Sequence, residues 1–226
     1  MIVVLSGTDG AGKSTQLRLL TEHLQSRGKR TRTLWHRPGY SWEAGLLKRL
    51  YRSIHPGGPP PGNSDARDAF LAKPRTGRLW ITVACLDSLL QWAIKTRWWS
   101  LTGTVVLLDR YLDDGALDLE ALFPGAAVTR GRFWRLVRWL SPRPHLRCLL
   151  LVSGEEGERR CGQKEDPFPV SPAVRRQREA AYAAMSQDGT WEVLDASPPA
   201  DEVQRHLRAL LDSRLSVEPL TAPEAS

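Results

Sequence analysis

The sequence predicts an α/β fold in three layers, a parallel sheet with helices on both of its faces. Three observations carry that expectation. Short apolar runs rich in branched residues recur along the chain, as they do in strands buried on both sides. Between them lie stretches whose apolar residues repeat at helical spacing. The first apolar run ends in a glycine-rich turn that opens straight into such a stretch.

Met1 to Ser6 reads as the first strand. From Lys13 to Ser26, Leu17, Leu19, Leu20 and Leu24 recur on one helical face, and Gly28 follows as a stop signal. Thr31 to His36 alternates and carries Trp35, so it reads as a second strand. Glu43 to Ser53 reads as a helix through Ala44, Leu47, Leu50 and Tyr51. The segment His55 to Asn63 is crowded with Pro and Gly and suits neither a helix nor a central strand. Two readings stay open for it, a disordered loop and a flap over a substrate.

Thr76 to Trp98, with Leu79, Val83, Leu86, Leu89, Leu90 and Ile94, predicts a long, largely buried helix. Thr104 to Leu108 reads as a strand ending at Asp109, and Phe133 to Leu140 as a helix. Leu146 to Val152 reads as a strand, Pro172 to Met185 as a helix, Trp191 to Leu194 as a short strand and Asp201 to Leu211 as the last helix. One domain is expected over residues 1–213. The tail, 214–226, carries Pro219 and Pro223 with few apolar residues and is expected to be disordered.

Composition narrows the class. Of 226 residues, 41% are hydrophobic and 25% charged, which is ordinary for a globular chain. No apolar run is long enough to span a bilayer, and Met1 to Ser6 is too short for a signal-peptide core. Three cysteines without a Cys-x-x-Cys pair argue against a disulfide scaffold or zinc site and for a reducing cytoplasm. Lys plus Arg exceeds Asp plus Glu by 32 to 25, a net charge of +7. Arginines dominate the basic residues and are spread along the sequence. The expected partner is therefore a small anion, with neither nucleic acid nor membrane.

The run Gly7-Thr8-Asp9-Gly10-Ala11-Gly12-Lys13-Ser14 matches G-x-x-x-x-G-K-[ST] at every fixed position, with a strand before it and a helix after it. Glycines let the backbone curl so that successive N–H groups point at phosphate oxygens. The helix beginning near Lys13 adds its positive end. Gly7, Asp9, Gly10, Ala11, Gly12, Lys13, Ser14 and Thr15 are thus the expected ATP-binding residues. Lys13 would sit at the β- and γ-phosphates and Ser14 would offer a hydroxyl to Mg²⁺. Asp109 closes an apolar strand, where a carboxylate can hold the same ion. Arg110, next to it, can reach a phosphoryl group bidentately.

A P-loop alone leaves several activities open. No Asn-Lys-x-Asp segment for guanine reading is present, and the chain is short for a motor. The segment Gly154 to Pro172, with Arg159 and Arg160, lies between a strand and a helix and suits a lid over ATP. These features suit a small-molecule kinase, in which alignment and charge neutralisation do most of the work.

The run Leu5 to Gln16 and the element Asp109-Arg110-Tyr111 resemble the P-loop and Asp-Arg-Tyr element of the thymidylate kinase family. Pro144 to Val152 is similar to that family's fourth strand, and Asp195-Ala196-Ser197 to the loop bordering adenine. The resemblance implies a P-loop NTPase fold with a five-stranded parallel sheet and a lid. It also implies transfer of the ATP γ-phosphoryl to a nucleoside monophosphate such as dTMP, with Ala196 near the adenine. Lys13, Arg110, Arg159 and Arg160 are the implied catalytic residues, and Ser14 and Asp109 the metal pair.

The chain also departs from the family's pattern. Where the family has Arg-Glu-Pro-Gly-Gly, this chain reads His36-Arg37-Pro38-Gly39-Tyr40. The stretch Ala84 to Gln91 contains no Arg to face a base, which leaves Asp87, Ser88 or Gln91 for the acceptor. Leu112-Asp113-Asp114 adds two acids after Asp-Arg-Tyr. Asp9, Arg37, Tyr40, Asp87, Arg110 and Asp114 are the expected acceptor-side residues. A thymidylate-kinase-like enzyme acting on another phosphorylated or phosphonate acceptor therefore stays open. So does an ATP-binding interaction protein without transfer, in which some of the nine Trp, including Trp98-Trp99 and Trp134 with Trp139, would form a partner or homodimer face.

Overall fold

The computed structural model describes residues 1–54, 73–161 and 172–217. Strands β1 (Ile2–Gly7), β2 (Thr31–Trp35), β3 (Val105–Asp109), β4 (Leu146–Leu151) and β5 (Glu192–Asp195) form one all-parallel sheet in the order β2-β3-β1-β4-β5. From β1 the chain crosses to the edge strand β2, returns inward to β3, and then runs outward through β4 and β5 on the other side. The switch point at which such sheets bind ligands thus lies beyond the carboxyl end of β1, at Gly7. The register pairs Leu5 with Asp109, so the strand-end acid stands beside the start of the glycine turn.

Alternation along the strands divides the core into two. Ile2, Val4, Val106 and Leu108 face a cluster with Trp92, Leu119, Trp134, Val137 and Tyr182. Val3, Leu5, Val105 and Leu107 face Leu17, Leu20, Leu24, Val203, Leu207 and Leu211. The second cluster is built by α1 (Lys13–Ser26) and α8 (Ala200–Val217). The first is built by α3 (residues 74–101), α4 (Leu112–Leu122), α5 (Arg132–Leu140) and α7 (Pro172–Met185). Each large aliphatic side chain fully buried here contributes about 1.5–3 kcal/mol. Among the described residues no helix is long and apolar enough to cross a membrane.

Helix α3 follows α2 (Trp42–Ile54) and runs as Pro74–Ser88, a π-helical turn Leu89–Lys95 and Thr96–Leu101. The wide turn is closed in part by Thr96 Oγ1 donating to Gln91 O at 3.0 Å. It carries Trp92 into the core edge-on to His36, Tyr111 and Trp134, at centroid distances of 4.8, 5.4 and 6.2 Å. Burial pushes His36 down to about 4, so it is neutral at neutral pH.

Four sequence expectations change. Residues 112–122, unassigned from sequence, form α4. The start of the expected lid loop is helix α6 (Gly154–Cys161), while residues 162–171 lie outside the described residues, as does the Pro/Gly segment His55 to Asn63. Helix α8 continues past residue 213 to Val217, with the rest of the tail outside the description. The arginines are not evenly spread in space: Arg132, Arg135 and Arg138 recur on α5, all exposed.

Candidate active site

The loop from Gly7 to Ser14 leaves β1 and enters α1. Gly7, Gly10 and Gly12 all have positive φ, at 137°, 81° and 76°. At Gly7 a Cβ would overlap the carbonyl of Leu150, so only glycine lets the loop pass this close to β4. Thr8 fastens it there: its N–H donates to Leu150 O at 3.1 Å and its Oγ1 accepts from Val152 N at 3.1 Å. Next to this anchor the loop meets α6 backbone to backbone. A Cβ on Gly10 would lie 2.5 Å from Gly157 O, and one on Gly157 would lie 2.7 Å from Asp9 O.

Lys13 is buried and folds back over the loop, its Nζ donating to Gly7 O at 2.9 Å and Thr8 O at 2.7 Å. Burial, with Arg110 nearby, pulls it down to about 8 against the opposing pull of Asp9, Asp109 and Asp114. Asp109 is pushed up by burial although Lys13, Arg110 and a hydrogen bond with Ser14 oppose the shift. The hydroxyl of Ser14 and the carboxylate of Asp109 thus stand together as hard oxygen donors. That donor set suits a Mg²⁺ ion, which keeps several waters and takes few protein ligands.

Loop, strand end and α6 enclose an open cleft of about 730 Å³. Gly10, Lys13, Ser14, Thr15, Asp109 and Arg110 line one side, and Arg159, Arg160 and Ala196 another. Arg159 and Arg160, on α6, are both held by Glu156. Arg159 donates to its two oxygens at 2.7 Å each, and Arg160 Nε to Oε1 at 2.6 Å. These bonds draw Glu156 down to about 2. Arg160 also donates to Ala196 O and Ser197 O at 2.8 and 3.0 Å, which fastens the helix to the loop after β5. Trp35, half-exposed at the end of β2, lines the same cleft and had no signal in the sequence beyond strand alternation.

On the far side of Asp9 the structure gathers charges. Arg110 has φ of 73°, a strained conformation for a residue with a side chain. It directs its guanidinium to Asp9 Oδ1 at 2.7 Å and to Tyr182 OH at 3.0 Å. Burial works to raise Asp9, but Arg110, Lys13 and Arg178 outweigh it and hold the carboxyl below its ordinary value. Arg178, on α7, lies 3.5 Å from Asp9 Oδ2 and also donates to Asp118. Arg37 Nε reaches the other oxygen of Asp118 at 3.2 Å, and its guanidinium lies 5.0 Å from the ring centre of Tyr40. Asp118, Arg178 and Tyr182 went unnoticed in the sequence. The available signal was charge on a face that should be apolar: Asp118 four residues before Leu122, and Arg178 four residues before Tyr182.

Two expected acceptor-side residues are occupied elsewhere. Asp114 is 2% exposed; it accepts from Ser6 Oγ, from Tyr111 N at 3.2 Å and from Tyr182 OH at 2.6 Å, and so caps α4 instead of facing the cleft. Asp87 accepts from Gly39 N at 2.9 Å and from the Ser41 hydroxyl, and so holds the turn after β2. Gln91 donates to Glu43 at 3.0 Å, and Ser88 donates to Ala84 O at 2.9 Å.

No family model matches the sequence. Curated relatives do. Thymidylate kinase of Leifsonia xyli subsp. xyli is 28% identical, the alignment covering 95% of this chain and 96% of the relative. Probable thymidylate kinase of Archaeoglobus fulgidus is 26% identical over 96% and 98%, and thymidylate kinase of Synechococcus sp. 27% over 95% and 97%. Similarity that runs the length of both partners, on a sheet with this glycine loop at its switch point, identifies the chain as thymidylate kinase-like.

Proposed function

We propose that the protein transfers the γ-phosphoryl group of Mg·ATP to a nucleoside monophosphate, with dTMP the first to be tried. The observation that carries this reading is the convergence on one cleft of Lys13, Ser14, Asp109 and Arg110 with Arg159 and Arg160. Relatives named thymidylate kinases along the whole chain supply the acceptor class.

Lys13 exchanges its loop carbonyls for phosphate oxygens, and the amides of the glycine loop with the start of α1 hold the rest of the polyphosphate. Ser14 and Asp109 are the residues that would hold Mg²⁺, which when bound neutralises charge on the phosphoryl oxygens. Arg159 and Arg160 leave Glu156 for the charge that develops during transfer. Arg110, held by Asp9, orients the incoming phosphate; a phosphate acceptor, already ionised, needs no general base. The homodimer and the cytoplasmic setting belong to this reading as expectations.

A second reading keeps the donor chemistry and changes the acceptor. Asp87, Ser88 and Gln91, the side chains left to read a base on α3, are all engaged within the protein. A site that loses a buried polar reader loses discrimination by orders of magnitude. Incubation with γ-labelled ATP and a panel of nucleoside monophosphates separates the readings. Label in dTDP supports the first, label in another diphosphate supports the second, and label in no nucleotide overturns the first and points to a non-nucleotide acceptor or to binding without transfer.

A further inference from the structure

The acceptor side of the loop is an unbroken alternation of charge: Arg37, Asp118, Arg178, Asp9, Arg110, Asp114. At one end, two guanidiniums from different parts of the chain converge on a single carboxylate. Arg37, just past β2, contacts Asp118 Oδ2, and Arg178, on α7, contacts Oδ1. The side chains of Asp118 and Arg178 are 7% and 9% exposed. Two arginines sharing one anion is the arrangement that binds a phosphate monoester.

We propose that Asp118 stands in for the acceptor's phosphate while the site is empty, and so sets acceptor affinity and charge selectivity. This rests on the reading above that the acceptor lies beside Asp9. Without Asp118, Arg37 would lose its carboxylate partner and the buried Arg178 would keep only the longer contact to Asp9, at 3.5 Å. With it, an incoming anion must displace a carboxylate that is tethered to the chain and therefore present at high effective concentration. A monoanion such as a carboxylate gains nothing by the exchange. A dianionic phosphomonoester gains a second charge and keeps the bidentate geometry. Asp118 thus raises the threshold for entry and favours the dianion.

The test is Asp118→Asn, which keeps shape and removes charge. The acceptor KM is expected to fall by about tenfold, with KM for ATP unchanged. Inorganic phosphate, competing with the acceptor, should gain a similar factor. A merely structural role predicts a lower melting temperature and lower kcat without tighter acceptor or phosphate binding, and that result overturns the proposal. If wild type phosphorylates no nucleotide of the panel, calorimetry still decides. Phosphate is titrated into wild type and variant with the P-loop saturated by a non-hydrolysable ATP analogue. Tighter binding by the variant supports the stand-in; equal or weaker binding refutes it. Asp118→Ser carries the same readouts should the Asn variant not fold.

Discussion

The two halves of the cleft are made of different material. On the donor side the main features are backbone: a glycine loop, the start of α1 and one folded-back lysine. On the acceptor side they are long side chains from the segment after β2, the end of β3, α4 and α7, held in place by one another. A backbone site is written in consecutive residues and tolerates little change, because Gly7 and Gly10 are required by close approaches to Leu150 and Gly157, and Gly12 by its positive φ. A side-chain site can be rebuilt one ion pair at a time, which is how one scaffold comes to serve different acceptors.

Breaking the donor half should have the largest effect. Lys13→Ala is expected to lower kcat by about 10³-fold and to weaken ATP binding, as read by the fluorescence of Trp35 in the cleft. Retained turnover would mean that the loop does not hold the polyphosphate. On the acceptor side, Asp114→Ala strips the acceptor from Ser6, Tyr111 N–H, Tyr182 and Arg110 at once. A loss of about 3 kcal/mol is expected, seen as a fall of roughly 6–12 °C in a thermal melt. A melt within a degree of wild type would remove Asp114 from the framework of α4.

Next comes the boundary between the halves. The double variant Arg159→Ala, Arg160→Ala should lower kcat by about 10²-fold while leaving KM for ATP within a factor of a few. Equal loss in both parameters would make the pair ground-state binders of ATP. The smallest effect is a pH dependence. Lys13 is depressed to about 8 in the free protein by burial and by Arg110. Below that value it is protonated and ready for phosphate. As pH rises through about 8 the cation is lost, so ATP affinity should decline by up to tenfold per unit. The same depressed value means that folding is relieved of a buried charge as pH rises above about 8, so affinity, and not stability, should fall there. Calorimetric titration between pH 7 and 10 checks this, and a flat profile would contradict it.

The contrast also explains what could be read in advance. Strand β1, the loop and Asp109 were legible because an unbroken apolar run and a fixed motif are local properties of sequence. The charges on Asp118 and Arg178 were not, because their partners are brought in by β2, β1 and α4, far away in the chain. The partners of Asp87 and Asp114 were hidden for the same reason: an acid near a cleft looks free until the backbone amides of Gly39 and Tyr111 are seen to donate to it. Helix α6 was hidden by its charge, since Glu156 with Arg159 and Arg160 forms pairs at i,i+3 and i,i+4 and buries little apolar surface.

The central claim is that the two halves meet at Asp9 and Arg110, so that donor and acceptor phosphates lie end to end. A bisubstrate molecule, adenosine and thymidine joined through five phosphates, tests this by calorimetry. It is predicted to bind at least about 10²-fold more tightly than ATP alone, through linkage of two sites, and Arg110→Ala should abolish the gain. Binding no tighter than that of ATP, in wild type, would contradict the account.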